Sequence, residues 1–204
     1  MFKRKDKQKL SSKKEIGLFF GSFNPIHVGH LILANYVVEF TPMNELWFVV
    51  SPQSPFKKNN SLLPEIHRLA MVDRSIEHDR RFRASNIEFD LPKPSYTSDT
   101  LTYLLEKYPD YKFSLIMGED NLTNLHKWKN ADFLMNNYDI YVYPRPNAKP
   151  IKHENASRIH ILDAPLIEIS ASFIRNSIKE KKDVSWFLPP GGWKYIDEMG
   201  FYKK

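Results

Sequence analysis

Apolar residues fall into short runs separated by polar stretches, and the runs alternate between strand-like and helix-like periods. Ile16-Gly-Leu-Phe-Phe20 is short, apolar and ended by Gly21, the pattern of a buried strand. Leu31-Ile-Leu-Ala-Asn-Tyr-Val-Val38 then carries an apolar face at helical spacing. Leu46 to Val50 is a second strand-sized run, closed by Ser51-Pro52, and a polar loop with Lys57, Lys58, Asn59 and Asn60 follows. From Pro64, suited to a first helical turn, Ile66, Leu69, Ala70, Val72 and Ile76 define the inner face of a helix. A strand is expected within Phe82–Phe89, then a helix from about Ser98 to Lys107 that must end before Pro109. Tyr111 to Met117 alternates and then turns apolar before Gly118. Two shorter helices, strands around Tyr138–Tyr143 and Ile159–Leu162, a helix over Phe173–Ile178 and a last one from about Pro189 to Met199 complete the reading. Strands alternating with helices predict a parallel α/β sheet covered on both faces, whose ligands sit at the carboxyl ends of the strands.

Charge changes this picture only at one end. The chain has a net charge of +6, which taken alone suggests a nucleic-acid binder. Residues 1–14 carry seven basic residues and Asp6, so that segment alone accounts for +6, and the remaining 23 bases and 23 acids cancel. A dense basic run with little apolar content is expected to be a disordered tail, leaving 15–204 as a single domain. A net-zero body argues against extended binding of a phosphate backbone, so no nucleic-acid partner is expected. There is no cysteine, hence no disulfide framework, thiol nucleophile or Cys-based metal site, a composition that favours the cytoplasm. No apolar run approaches the ~18 residues of a membrane span, and the basic start lacks the apolar stretch of a secretory signal. None of the seven glycines falls in a G-x-G-x-x-G or P-loop spacing, so any nucleotide must be held by another device.

That device is sought after the first strand, in Gly21-Ser-Phe-Asn-Pro-Ile-His-Val-Gly-His30. Gly21 permits an unusual backbone conformation or a close approach, and Pro25 stiffens the loop. His27 and His30 lie three apart at the incoming helix, so in a helical turn both point to one side. A helix N-terminus offers free N–H groups to phosphate, and imidazoles can donate to phosphate oxygens even when neutral. An isolated H-x-x-H reads as chance or a weak metal pair. Gly21, Pro25 and Gly29 around it, directly after a buried strand, favour the phosphate site. A second anion site is suggested by Ile169-Ser-Ala-Ser-Phe-Ile-Arg175, where Ser170 and Ser172 open an apolar helix and Arg175 stands one turn beyond Ser172. The commoner reading of such a pair is a plain serine cap beside an exposed arginine, and the residues alone leave it open.

G-S-F-N-P-x-H-x-G-H, followed about 140 residues later by I-S-A-S-x-I-R, resembles the paired signatures of the nucleotidyltransferase α/β-phosphodiesterase superfamily. The intervening Pro94-Ser-Tyr-Thr97, Ile116-Met-Gly-Glu-Asp120, Lys127-Trp128 and Arg145-Pro146, with the terminal Leu188-Pro-Pro, Tyr195-Ile and Gly200-Phe-Tyr202, are similar to bacterial nicotinate-nucleotide adenylyltransferases. The resemblance runs in order from Ile16 to Tyr202. It implies a Rossmann-like, doubly wound, mainly parallel sheet and adenylyl transfer from ATP to nicotinate mononucleotide. The catalytic residues it implies are His27, His30 and Arg175. ATP and its phosphates would meet Gly21, Ser22, Phe23, Lys57, Ser170 and Ser172. Nicotinate mononucleotide would meet Thr97, Gly118, Asp120, Trp128 and Arg145, with Trp128 stacking on the pyridine ring. The implied Mg2+ would be bound chiefly by phosphates and water, with no protein metal ligands.

Three positions depart from the family pattern. Asn24 stands where many members have Asp, Phe56 replaces the histidine before Lys57, and Ala171 replaces a serine. Lys58 rivals Lys57 for the phosphate-reaching role. Two other readings compete: a superfamily member acting on phosphopantetheine, and a non-catalytic nucleotide- or nucleic-acid-binding module. The first leaves Pro94–Thr97 and Lys127-Trp128 without a purpose, and the neutral body weighs against the second. The sequence leaves the oligomeric state open.

Overall fold

Six parallel strands form one sheet in the order β3-β2-β1-β4-β5-β6 in the computed structural model, which describes residues 13–52, 62–145 and 156–203. The first half of the chain supplies β1 (Lys14–Gly21), α1 (Val28–Phe40), β2 (Glu45–Val50), α2 (Glu65–Ile76) and β3 (Phe82–Ser85). The second half supplies α3 (Thr97–Lys107), β4 (Tyr111–Gly118), α4 (Glu119–Thr123), α5 (Ala131–Asn137) and β5 (Asp139–Tyr143). It closes with β6 (Ile159–Ile161), α6 (Ala171–Lys179) and α7 (Pro190–Met199). The strand order reverses between β1 and β4, which pair in register from Lys14↔Tyr111 to Phe19↔Ile116. A doubly wound sheet opens its ligand crevice at that reversal, beyond the carboxyl ends of the strands.

The unbroken apolar runs follow from burial on both faces of the sheet. In β2, Leu46, Phe48 and Val50 enter one core with α1, α2, α6 and α7 residues, while Trp47 and Val49 enter another with Leu101, Leu104, Leu122 and Leu134 of α3, α4 and α5. The same two-residue alternation sends Phe19 to the first core and Ile16 and Leu18 to the second. Helix α7 lies so close to α2 that a Cβ on Gly191 would stand 2.1 Å from the Arg74 carbonyl oxygen. That contact fixes the last helix, and the Phe201-Tyr202 segment after it, against α2.

Three expectations change in detail. Lys14, grouped above with the basic tail, is the first residue of β1 and its ammonium pairs with Glu45, so the sheet begins within the basic run. Residues 1–12 lie outside the described residues. The strand expected over Phe82–Phe89 ends at Ser85. Ile66, assigned to the inner face of α2, is 60% exposed, and Arg68 is fully buried with Met71, Val72 and Ile76. The hydrophobic pattern mistook this face because a guanidinium fills it. No described helix is long and apolar enough to cross a membrane.

Candidate active site

Gly21 ends β1 beside the reversal, and the loop 22–27 carries the chain into α1. Among the described glycines only Gly200 has a positive φ, so Gly21 is needed for space. The Phe23 ring comes within 2.8 Å of where its Cβ would stand. Phe23 in turn packs edge-on against Phe19, Phe48 and His30, which gives the loop an apolar floor.

His27 is the N-cap of α1 and His30 lies in its first turn. Their rings stack with centroids 3.7 Å apart. The His27 backbone N–H donates to His30 Nδ1 at 3.2 Å, so Nδ1 carries no proton and Nε2–H is left as a donor. Burial, aided by the charge of Arg145, pulls His27 down to about pKa 4. Burial, then His27 and Arg145, hold His30 well below the usual imidazole range. Near pH 7 both rings are therefore neutral donors at a helix N-terminus, a combination suited to phosphate oxygens. Gly29 keeps the helix start narrow: a Cβ there would meet His27 Nδ1 at 3.0 Å and Ile167 Cγ2 at 3.1 Å.

The contact with Ile167 brings in the C-terminal motif. Ser170 caps α6, its Oγ accepting from the Phe173 N–H at 3.2 Å. Arg175 donates through Nη2 to Ser172 Oγ at 3.2 Å and through Nη1 to the Asn24 carbonyl oxygen at 2.7 Å. The two signatures thus meet across 151 residues, and Arg175 is docked on the first loop, not free on the surface.

A second group forms where β4 and β5 end. Gly118 caps α4 and Asp120 lies in its first turn, while Arg145 follows β5. A Cβ on Gly118 would stand 2.5 Å from Asp120 Oδ1 and 3.1 Å from Arg145 Nε. Arg145 Nε is 3.7 Å from Asp120 Oδ1, Arg145 Nη2 donates to the Tyr143 hydroxyl at 3.1 Å, and Tyr143 packs edge-on to Phe19. Through Arg145 the charge of this group reaches both histidines. Thr97 opens α3, and Trp128 closes the short turn Leu125–Lys127 and is half-buried against the second core. Lys129 ties their neighbourhoods, pairing with Asp99 at 2.8 Å and lying over the Tyr96 ring. Ser22 lies in the first loop, whereas Lys57 and its rival Lys58 fall outside the described residues.

One buried cation escaped the sequence reading. Arg68 Nε donates to Leu63 O at 2.8 Å, Nη1 to Ser22 O and Ser51 O at 2.7 and 2.8 Å, and Nη2 to Pro52 O at 3.0 Å. Burying an unpaired charge costs several kcal/mol, about 2 kcal/mol of which each charged hydrogen bond can offset. Four carbonyls make the burial tolerable. The only sequence signal was a basic residue on an apolar helical face. Asn24 is also buried, its Oδ1 accepting from the Tyr202 hydroxyl at 2.7 Å and from the Leu63 N–H at 3.4 Å. Among the described residues, no group of three or more His, Asp or Glu is arranged to hold a metal ion.

Comparison with known proteins identifies the family of the chain. Residues 18–177 match the family described as cytidylyltransferase-like. A Flavobacterium johnsoniae protein named "Probable nicotinate-nucleotide adenylyltransferase" is 53% identical over 192 residues, covering 93% of this chain and all of the relative. A Bacteroides thetaiotaomicron protein of the same name is 43% identical over 188 residues, covering 92% of this chain and 93% of the relative. Among solved structures, Plasmodium falciparum nicotinic acid mononucleotide adenylyltransferase complexed with NaAD superposes with a TM-score of 0.78 at 20% identity, over 93% of this chain and 98% of that one. That likeness bears on the fold and agrees with the doubly wound sheet described above. The chain belongs to the cytidylyltransferase-like family and, within it, to the nicotinate-nucleotide adenylyltransferases.

Proposed function

We propose that this protein transfers the adenylyl group of ATP to nicotinate mononucleotide. The phosphate oxygen of the mononucleotide attacks the α-phosphorus, the bond to the β-phosphate oxygen breaks, and nicotinate adenine dinucleotide and pyrophosphate are the products. The acceptor brings its own nucleophile, so the protein's task is positioning and charge stabilisation. The observation that carries this reading is the pair of neutral, stacked imidazoles at the N-terminus of α1, with Arg175 docked on the same loop. His30, its proton held on Nε2, donates to the triphosphate where charge grows in the transition state. His27, the free N–H groups of α1 and the backbone at Gly21, Ser22 and Phe23 receive the remaining phosphate oxygens. Ser170, Ser172 and Arg175 hold the β- and γ-phosphates as they leave. Lys57, or its neighbour Lys58, adds a further cation to the triphosphate.

These groups offer N–H donors, hydroxyls and cations to phosphate oxygens, and they include no carboxylate for a hard cation such as Mg2+. Mg2+ therefore enters with ATP, bound by phosphate and water, and offsets the triphosphate charge. Nicotinate mononucleotide is assigned to the half of the crevice bounded by Thr97, Gly118, Asp120, Trp128 and Arg145. The indole supplies a flat apolar surface for the pyridine ring, and Asp120 accepts from a ribose hydroxyl.

Pyrophosphate release from Mg-ATP, with nicotinate mononucleotide, nicotinamide mononucleotide or phosphopantetheine offered in parallel, tests the assignment. Turnover with nicotinate mononucleotide is expected. Silence there, with turnover on phosphopantetheine, would overturn it. Trp128→Ala should raise KM for nicotinate mononucleotide up to about tenfold, the scale of an aromatic stacking energy, and leave KM for ATP within about twofold. Equal rises in both constants would count against ring stacking.

A further inference from the structure

The loop between β1 and α1 supports the triphosphate site: His27 and His30 follow it, and Arg175 donates to its Asn24 carbonyl oxygen. Its placement depends on two residues that lie 46 and 178 positions from their contacts in the loop. Arg68 donates to Ser22 O, and its other N–H groups reach the carbonyls of Ser51, Pro52 and Leu63. Tyr202 donates to Asn24 Oδ1, which also accepts from the Leu63 N–H. The ends of β1 and β2 and the approach to α2 therefore share one hydrogen-bonded frame. The two outer members of that frame are joined to each other. Arg74 of α2 packs over the Tyr195 ring of α7 at 4.3 Å, His67 Nδ1 lies 2.9 Å from the Tyr195 hydroxyl, and Gly191 lets the helices touch.

Among the described residues, the hydrogen bonds of Arg68 all go to backbone carbonyls, and the carboxylate that acts on it, Glu65, does so through charge and not through a hydrogen bond. Its guanidinium thus spends its N–H groups on the backbone, next to the loop where a triphosphate is expected. A guanidinium makes these bonds as a rigid planar fork, which a lysine cannot reproduce. Arg175 is aimed by a carbonyl whose residue is held through its side chain by Tyr202. A shift of the loop would move the imidazoles and Arg175 together, and catalysis by prealigned donors is sensitive to such shifts.

We propose that Arg68 and Tyr202 are positioning residues for adenylyl transfer: they set the loop 22–24, and through Asn24 the aim of Arg175, without themselves touching substrate. The proposal rests on the reading of this site as the adenylyl-transfer centre, which turnover of the parent enzyme with nicotinate mononucleotide tests separately.

The decisive variant is Tyr202→Phe, which removes one hydroxyl and keeps the ring. It should lower kcat/KM for ATP by about three- to tenfold, the value of one hydrogen bond, with KM for nicotinate mononucleotide within about twofold of the parent. In an Asn24→Ala background the same change should cost nothing further, because its acceptor is gone. Arg68→Lys, which keeps the charge but not the fork, should lose more than Tyr202→Phe in the same constant. A melting temperature that falls while kcat/KM for ATP is unchanged would overturn the proposal, as would equal losses toward both substrates. A full additional loss from Tyr202→Phe in the Asn24→Ala background would also overturn it. If Arg68→Lys does not fold, the Tyr202 series alone decides.

Discussion

Replacing His30 with alanine lowers kcat by about 10²- to 10³-fold, the cost of removing one prealigned donor from a charge-stabilising site. The expectation follows from three features of the ring. It is neutral, because burial and its cationic neighbourhood disfavour the imidazolium. Its proton is assigned to Nε2, because Nδ1 accepts the His27 N–H. Its orientation is set by the stack on His27 and by edge-on contacts with Phe19 and Phe23. A donor fixed in this way needs no reorganisation as charge develops, so its loss should fall on kcat more than on either KM. Alanine also leaves the His27 N–H without that acceptor, and a stability loss of about 1–2 kcal/mol should accompany the change. Steady-state pyrophosphate release, with thermal melting as the folding control, measures both. A kcat within about threefold of the parent, well short of what one such donor supplies, would remove His30 from the transition-state role.

Arg175→Ala should lower kcat/KM for ATP by about 10²-fold, with little change in KM for nicotinate mononucleotide. Arg175 is docked at two points, on Ser172 Oγ and on the Asn24 carbonyl oxygen, and its remaining N–H groups are assigned to an anion. Its charge is suited to the pyrophosphate that leaves, whose negative charge grows as the bond to the α-phosphorus breaks. Lysine should rescue little of this loss, since a compact ammonium cannot hold both anchors and still present a second N–H group. Initial rates at varied ATP and saturating nicotinate mononucleotide give the comparison. Full rescue by Arg175→Lys would mean that charge alone matters at this position and that the docking geometry does not.

Much of this arrangement is legible in the chain because it is local. A strand buried on both sides must be a short apolar run, so the sheet could be read from Ile16–Phe20, Leu46–Val50 and Tyr111–Met117. The glycine after the first strand and the two histidines at i and i+3 on a helix start placed one anion site, and the serines before Arg175 suggested another. Motif spacing could name both sites but could not join them. The bond from Arg175 to Asn24 spans 151 residues and depends on α6 entering the same core as Phe19, Phe23 and Leu33.

The failures are equally physical. Helical periodicity assigns a face by averaging apolar character, and on α2 it chose Ile66 where the fold buries Arg68. A guanidinium can occupy that place only because four carbonyls from separate segments converge on it, and no local pattern encodes a convergence of that kind. The basic run 1–14 likewise reads as a tail throughout, yet its last residue, Lys14, opens the first strand. The sequence by itself determined the class of fold, the two motifs and the family. The tertiary structure alone decided which side chains meet: the neutral histidine pair beside Arg145, Arg175 on the first loop, and Arg68 and Tyr202 behind that loop's placement. Periodicity records what each residue needs from its neighbours in sequence, whereas a site is made of contacts that exist only once the sheet has closed.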